Sequence, residues 1–225
     1  MRISVIIPVL NEANLIVKTL SALQSLRQAG HEVIVVDGGS HDDTLSLSKP
    51  YADKLIQGSM GRSRQMNDGA KSANHEVLLF LHADTLLPEG ADWLILEGME
   101  KKERSWGRFD VKLSGELPFF RVIEFLMNWR SRLSRIATGD QAIFVKTELF
   151  RSVGGFPEID LMEDIALSKM LKTHGQPLCL WQRALTSSRR WEEKGFLRTI
   201  PLMWLLRLAY FFNVNPKRLA KLYYS

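Results

Sequence analysis

The chain has 225 residues, 45% of them apolar and 24% charged, with a formal net charge of +5. That length supports one sizeable α/β domain with a full core and is short for two, while the composition disfavours both disorder and a multi-span membrane protein. The single cysteine, Cys179, excludes an internal disulfide and a cysteine metal cluster and suits a reducing compartment.

The opening apolar run, Ile3 to Leu10, is too short and wrongly flanked for a signal peptide, so a cytoplasmic protein is expected. Ile3 to Pro8 predicts a central buried strand with Asn11 and Glu12 at its carboxyl end. A helix is expected from about Ala13 to Ala29, with Leu15, Leu20, Leu23 and Leu26 on its apolar face and Gly30 as its stop. Glu32 to Val36 predicts the next strand, which ends in Asp37 and is followed by Gly38, Gly39 and Ser40. A Rossmann dinucleotide site is excluded, because Pro8-Val9-Leu10-Asn11-Glu12-Ala13 stands where G-x-G-x-x-G is required.

A weaker strand is expected around Lys54 to Gln57. Gly58-Ser59-Met60-Gly61 then feeds a helix from Arg62 to about Lys71, whose first turn carries Arg62 and Arg64. Free backbone N–H groups and two guanidiniums there suit a diphosphate, although two solvated arginines at a helix start are the bland alternative. Val77 to Leu81 is a continuous apolar run that stops at His82-Ala83-Asp84, which predicts a strand buried on both faces and ending in a carboxylate.

Three buried strands therefore end in Asn11/Glu12, Asp37 and Asp84. In a parallel sheet those tips share one edge, where ligands of open α/β sheets bind. A capping or turn role for Asp84 is the competing reading.

Beyond it, a helix is expected around Glu89 to Glu103, a strand from Trp106 to Leu113 and a helix from Leu117 to Leu133. Arg121, Glu124 and Arg130 interrupt the last too often for a membrane span, so it covers the cleft or lies on a lipid surface. Gly139-Asp140-Gln141 leads to a short strand, Ala142 to Val145, and the Gly154-Gly155-Phe156-Pro157 loop precedes Glu163-Asp164 at the start of a helix running to His174. Acids at a helix N-terminus complement its dipole, so that pair alone need mean nothing more. Phe196 to Phe212 predicts an apolar helix interrupted by Arg198, Pro201 and Arg207, interfacial or packed on the domain rather than spanning. The basic residues dense between Arg183 and Lys221 call for an anionic partner: nucleotide, lipid headgroup or nucleic acid. RNA binding ranks low, since the aromatics lie within apolar runs rather than on exposed platforms, and no nucleic acid is expected.

Taken in order, IIPVLNE, VVDGGS, GRSRQMNDGA, LFLHADT, GGFPEIDLMED and RRW resemble the family 2 glycosyltransferases, up to about Trp191. The resemblance implies the GT-A fold: an α/β domain over residues 1–192 with a mostly parallel central sheet flanked by helices, followed by a C-terminal helical extension over 193–225. It implies that Pro8 and Glu12 border the nucleotide, that Asp37 holds its base or ribose, and that Arg62 reaches the base or diphosphate. Asn11, Gly61, His82 and Ala83 complete the nucleotide-sugar side. Asp84 matches the last acid of the D-x-D metal motif, which implies Mg²⁺ or Mn²⁺, and Asp164 matches the catalytic base. Gly139, Asp140, Glu163, Arg190 and Trp191 fall on the acceptor side.

Two departures stand out: His82 replaces the first acid of the metal motif, and Ser187 replaces the Gln of the processive Q-x-x-R-W motif. The expected activity is inverting, metal-assisted transfer of one sugar from a nucleoside-diphosphate sugar to a hydroxyl acceptor, soluble or lipid-linked, with peripheral contact at the inner face of the plasma membrane. The alternatives are a sugar nucleotidyltransferase, whose Gly-rich signature after the first strand is absent here, and a non-catalytic binding module.

Overall fold

The computed structural model describes residues 1–189, 196–212 and 214–224, with the side chains of 196–200 and 224 left aside. The N-terminal part runs β1 (Ile3–Val9), α1 (Ala13–Ala22), α2 (Gln24–Gln28), β2 (Glu32–Asp37), α3 (Thr44–Ser48), β3 (Lys54–Gln57), α4 (Arg62–Ser72) and β4 (Val77–Phe80). Then come β5 (Thr85–Leu86), α5 (Ala91–Lys101), β6 (Trp106–Leu113), α6 (Pro118–Ser134), β7 (Phe144–Lys146), α7 (Thr147–Ser152), α8 (Glu163–Leu171) and β8 (Leu178–Thr186). The chain closes on α9 (Phe196–Phe211) and α10 (Pro216–Tyr224).

Among the described residues, eight strands form one sheet in the order β3-β2-β1-β4-β7-β6-β8-β5. The first four are parallel, with Val5 opposite both Val33 and Leu79. Beyond β4 the sheet is mixed: β7 is antiparallel to β4 and to β6, β8 is parallel to β6, and β5 is antiparallel to β8. The expected mostly parallel sheet is thus parallel in its N-terminal half and mixed in the other.

Continuous apolar runs make these strands because both faces are covered. Val5, Ile7, Val33, Val35 and Leu79 pack with α1 and α5 residues such as Ile16, Leu20 and Ile95 on one side. Ile6, Ile34, Val36, Leu78 and Phe80 pack with Met66, Ala70 and Leu167 on the other. Gly69 lets α4 settle onto β1, for a Cβ there would stand 2.4 Å from the Ile6 side chain. Buried Gln65 donates from Nε2 to the carbonyls of Val9 and Val36, both at 2.8 Å, and so ties the carboxyl ends of β1 and β2 together.

The expected helix over 13–29 is two helices, broken where the Leu23 backbone leaves helical geometry (φ −91°, ψ −1°). The short strand expected at Ala142–Val145 sits at Phe144–Lys146, because Ala142 takes a left-handed conformation (φ 47°) that ends the preceding 3₁₀ turn. The Gly154-Gly155 loop is anchored: Asn67 on α4 accepts from Phe156 N and donates to Phe156 O, both at 2.9 Å.

The C-terminal helices pack on this domain. Leu206 of α9 and Leu219 and Ala220 of α10 are buried against Ile136, Leu161, Met162 and Ile165. No helix of the described residues is long and apolar enough to cross a membrane.

Candidate active site

One cleft collects most of the residues singled out by motif. Pro8 and Glu12 reach it from β1 and the loop after it, His82, Ala83 and Asp84 from the end of β4, and Arg62 from the first turn of α4. Gly139, Asp140, Glu163 and Asp164 reach it from the 3₁₀ turn and the start of α8. Parallel pairing of β1 with β2 and β4 brings these tips to one edge.

Three expected residues lie elsewhere. Asn11 adopts a left-handed backbone (φ 55°) and turns toward the 40–42 loop, where its Oδ1 accepts from His41 N at 2.9 Å. Asp37 is buried, and its carboxylate accepts from Gly39 N (3.1 Å) and Ser40 N (3.0 Å), closing its own turn. Gly61 (φ 123°) precedes α4 and does not line the cleft. Arg64 also differs from expectation, since it pairs with Glu158 at 3.3 Å on the surface instead of facing an anion beside Arg62. Arg190 and Trp191 fall outside the described residues.

At the strand edge, Glu12 and Asp84 crowd each other. Burial, and after it the Asp84 charge, raise the Glu12 carboxyl above its ordinary 4.5, with Arg189 and Arg62 opposing. β5 pairs with the end of β8, and Ser187 N donates to Asp84 O at 3.2 Å, which brings Ser187 and Arg189 to the rim of the same cleft.

His82, at the place of the metal motif's first acid, is engaged elsewhere. Its Nδ1 lies 3.5 Å from Asp140 Oδ1, and its ring fills the space beside Gly139, where a Cβ would stand 2.3 Å from Nε2. Burial works against the Asp140 anion, yet the His82 hydrogen bond and charge, joined by Arg62 and Arg207, outweigh it and lower the Asp140 carboxyl.

Among the described residues, no cluster of three or more His, Cys, Asp or Glu is placed to hold a metal ion alone. Two mutually repelling carboxylates beside the arginines are nevertheless a hard-oxygen donor set that a divalent cation would relieve, with a bound diphosphate and water supplying the other ligands.

Across the cleft, Met162 caps α8 in a left-handed conformation (φ 70°), an unusual state for a non-glycine residue, and so sets the direction in which α8 begins. Asp164 Oδ2 accepts from Gly139 N at 2.9 Å, and Oδ1 accepts from Ile165 N at 2.7 Å. These bonds orient the carboxylate and leave lone pairs for a proton. Glu163 is buried and leans on Arg62 at 3.6 Å. Burial first and the Asp164 charge second raise its carboxyl, with Arg62 opposing. The neighbouring acids thus take different partners, as adjacent helical positions require.

The cleft is also walled by Thr138, Leu161, Met162, Ile165, Met203, Arg207 and Tyr223, which sequence reasoning missed. Those from α9 and α10 are remote in sequence, in an apolar helix and in a basic amphipathic one. The one local signal was Arg207, a charge interrupting an apolar helix.

Solved structures share this architecture. TarS 1–349 of S. aureus superposes with a TM-score of 0.68 at 20% identity, covering 84% of this chain and 61% of that one. The same fragment in complex with UDP-GlcNAc gives 0.68 at 18%, covering 83% and 58%. The mannosyltransferase PcManGT from Pyrobaculum calidifontis, in complex with GDP-Man and Mn²⁺, gives 0.61 at 24%, covering 82% and 56%. At such identities the likeness is one of fold, and the fold is that of the GT-A glycosyltransferases.

In sequence, the poly-beta-1,6-N-acetyl-D-glucosamine synthase of Staphylococcus epidermidis is 28% identical over 108 residues, 45% of this chain and 26% of the synthase. That of Staphylococcus aureus MSSA476 is 27% identical over 96 residues, 40% and 23%. The matches span about a quarter of those synthases. The family model for glycosyl transferase family 2 matches residues 4–156, and the chain belongs to that family.

Proposed function

We propose that the chain transfers one sugar from a nucleoside-diphosphate sugar to an acceptor hydroxyl with inversion at the anomeric carbon. One observation carries this reading: the Glu12/Asp84 pair and Asp164 line the same cleft from two different elements, the strand edge and the start of α8. The acceptor oxygen bonds to the anomeric carbon as the bond from that carbon to the diphosphate oxygen breaks. The nucleoside diphosphate leaves, and the hydroxyl proton passes to Asp164, which Gly139 N and Ile165 N hold in place.

Arg62 and Arg189 supply positive charge at the strand edge for the leaving group. Asp84 with Glu12 would hold Mg²⁺ or Mn²⁺, whose contribution would be to neutralise charge on the departing diphosphate. Asp84→Asn is expected to abolish transfer and the Mn²⁺-dependent part of nucleotide binding while the thermal unfolding transition is retained. Full wild-type activity in excess EDTA, or unchanged transfer by Asp84→Asn, would count against metal-assisted departure.

We also propose peripheral contact with an anionic bilayer through α6 and α9. Phe119, Val122, Leu126, Trp129 and Leu133 are exposed along α6 at alternating three- and four-residue spacing, a continuous outward stripe. Trp204, Leu205, Leu208 and Phe211 are exposed on α9. Exposed cations stand at the end of α6, Arg135, and on α10, Lys217, Arg218 and Lys221, and apolar surface with positive charge suits a negatively charged bilayer.

A further inference from the structure

Among the described residues, the acceptor side of the cleft contains two arginines that no carboxylate pairs at salt-bridge distance. Arg207 of α9 lines the cleft with Asp164. Arg130 of α6 feels that charge: of the charged groups acting on it, Arg207 has the largest effect, ahead of Asp164, Arg108 and Asp140. Among the described residues, neither guanidinium has a carboxylate within 4.0 Å, although the cleft is rich in acids. The Arg130 atoms Nε and Nη2 and the Arg207 atom Nε are shielded from solvent and donate to nothing.

Such an arrangement is costly for a folded chain by itself. Like charges repel, guanidinium N–H groups removed from water without acceptors lose their hydrogen bonds, and α6 and α9 could have been apolar at both positions. Burial first and the Arg207 charge second pull the Arg130 pKa down to about 10. An oxyanion bound by the two side chains would remove both costs, since the guanidinium fork matches phosphate and carboxylate geometry.

We propose that Arg130 and Arg207 form an oxyanion site for a phosphate group carried by the acceptor, separate from the arginines that serve the donor diphosphate. The donor side has its own cations, Arg62 and Arg189, which sit with Glu12 and Asp84 at the strand edge. Arg130 and Arg207 act on the Asp164 and Asp140 end of the cleft, which Arg62 also reaches through Glu163 and Asp140. Held there, an acceptor phosphate would keep the acceptor at the end of the cleft where the proposed base stands. Assigning the anion to the acceptor rests on the transferase reading above, whereas the anion site itself does not. The phosphate could belong to a soluble molecule or to a lipid, and the outward apolar faces of α6 and α9 give a lipid a place to lie.

The test uses methyl phosphate on the full chain saturated with Mg²⁺ and with UDP or GDP, whichever raises Tm. Methyl phosphate is expected to raise Tm further in a saturable way, and Arg130→Gln and Arg207→Gln to weaken that binding by at least about tenfold, the usual scale for losing a charge-assisted pair. Without methyl phosphate neither variant should melt below the wild type, because each removes shielded N–H groups that have no acceptor; a merely structural arginine would give the opposite. If a Gln variant does not fold, Arg130→Lys and Arg207→Lys, which keep the charge but lose the fork, should show an intermediate loss.

Unchanged methyl phosphate affinity in the variants overturns the proposal, as does a wild type whose methyl phosphate response disappears on nucleotide saturation, for the arginines would then belong to the donor site. If neither nucleotide raises Tm, the transferase reading fails, and titration of the nucleotide-free protein still tests the anion site. Dodecyl phosphate micelles distinguish the sources: tighter binding than methyl phosphate identifies a lipid acceptor and equal binding a soluble one, and either supports the site.

Discussion

β4 and α6 are built on opposite plans. β4 is apolar on both faces and is enclosed by helices on both sides, so that Val77 to Phe80 are all buried and the only polar groups stand at its end, in the cleft. α6 buries apolar residues too, Phe120, Ile123 and Met127 against Val111 and Leu113, but it also turns polar groups inward and large apolar groups outward. β6 is paired with β8 along one side but with β7 only at Trp106 and Gly107 on the other, which leaves that edge of its far half open. α6 completes it. Asn128 accepts from Val111 N (2.8 Å) and donates to Val111 O (3.0 Å), and Glu124 accepts from Leu113 N (2.7 Å). Arg132 reaches Asp110 at 2.8 Å, and Asp110 also pairs with buried Arg108. Arg121 and Glu124, two of the charges that bar α6 from a bilayer core, thus satisfy the sheet edge at Leu113, and the outward stripe of α6 is left for some other contact.

The largest effect that sharpens this contrast is expected at Asn128. Asn128→Ala leaves a buried N–H and a buried carbonyl of Val111 unpaired, and the loss should be about 1–3 kcal/mol for each group, read from urea unfolding. A loss no greater than that of an exposed substitution would mean that α6 merely rests on the sheet.

A smaller effect concerns pH at the start of α8, across the cleft from the end of β4. The Glu163 carboxyl is raised in the folded protein above its ordinary 4.5, so folded chains hold a proton that unfolded chains have released. Stability from this group is therefore complete below pH 4.5 and is lost as pH rises through the raised value. Glu163→Gln should gain stability relative to wild type as pH rises through that window, measured by urea melts at successive pH values; a difference that does not change with pH would contradict the assignment.

The smallest effect on stability belongs to the outward stripe. Leu126→Ser and Leu133→Ser should each change unfolding free energy by no more than about 0.5 kcal/mol, yet reduce sedimentation with anionic liposomes at low salt. A wild type that stays in the supernatant would remove the membrane proposal, and a strongly destabilised variant would show that the stripe is core.

The same contrast decides what could be read from the sequence. Strands covered on both faces announce themselves as unbroken apolar runs, so β1, β2 and β4 and the polar tips Glu12 and Asp84 were legible, as was β6 at its full length. Elements of two to six residues, β5, α3 and α7, are too short to show a period. Pairing direction beyond β4 depends on contacts distant in sequence, and the mixed half was missed for that reason.

At the site, residues at strand ends and helix starts were found through local punctuation. Asn11 and Asp37 carry the same punctuation but spend it on the loop after β2, a choice made by left-handed geometry at Asn11 and by the turn at Gly39 and Ser40. The wall from α9 and α10 could not be found that way, because a helix remote in sequence enters the cleft through tertiary packing alone.

The most direct test of the central claim, that Asp164 is the base facing the strand-edge carboxylates across one cleft, is Asp164→Asn. The amide is nearly isosteric, and its oxygen can still accept from Gly139 N. Sugar transfer under saturating donor and acceptor, measured beside nucleotide affinity by calorimetry, should fall by at least about 10²-fold while affinity stays as in the wild type. A variant that keeps its turnover and loses nucleotide affinity would contradict the account and place Asp164 in the donor site.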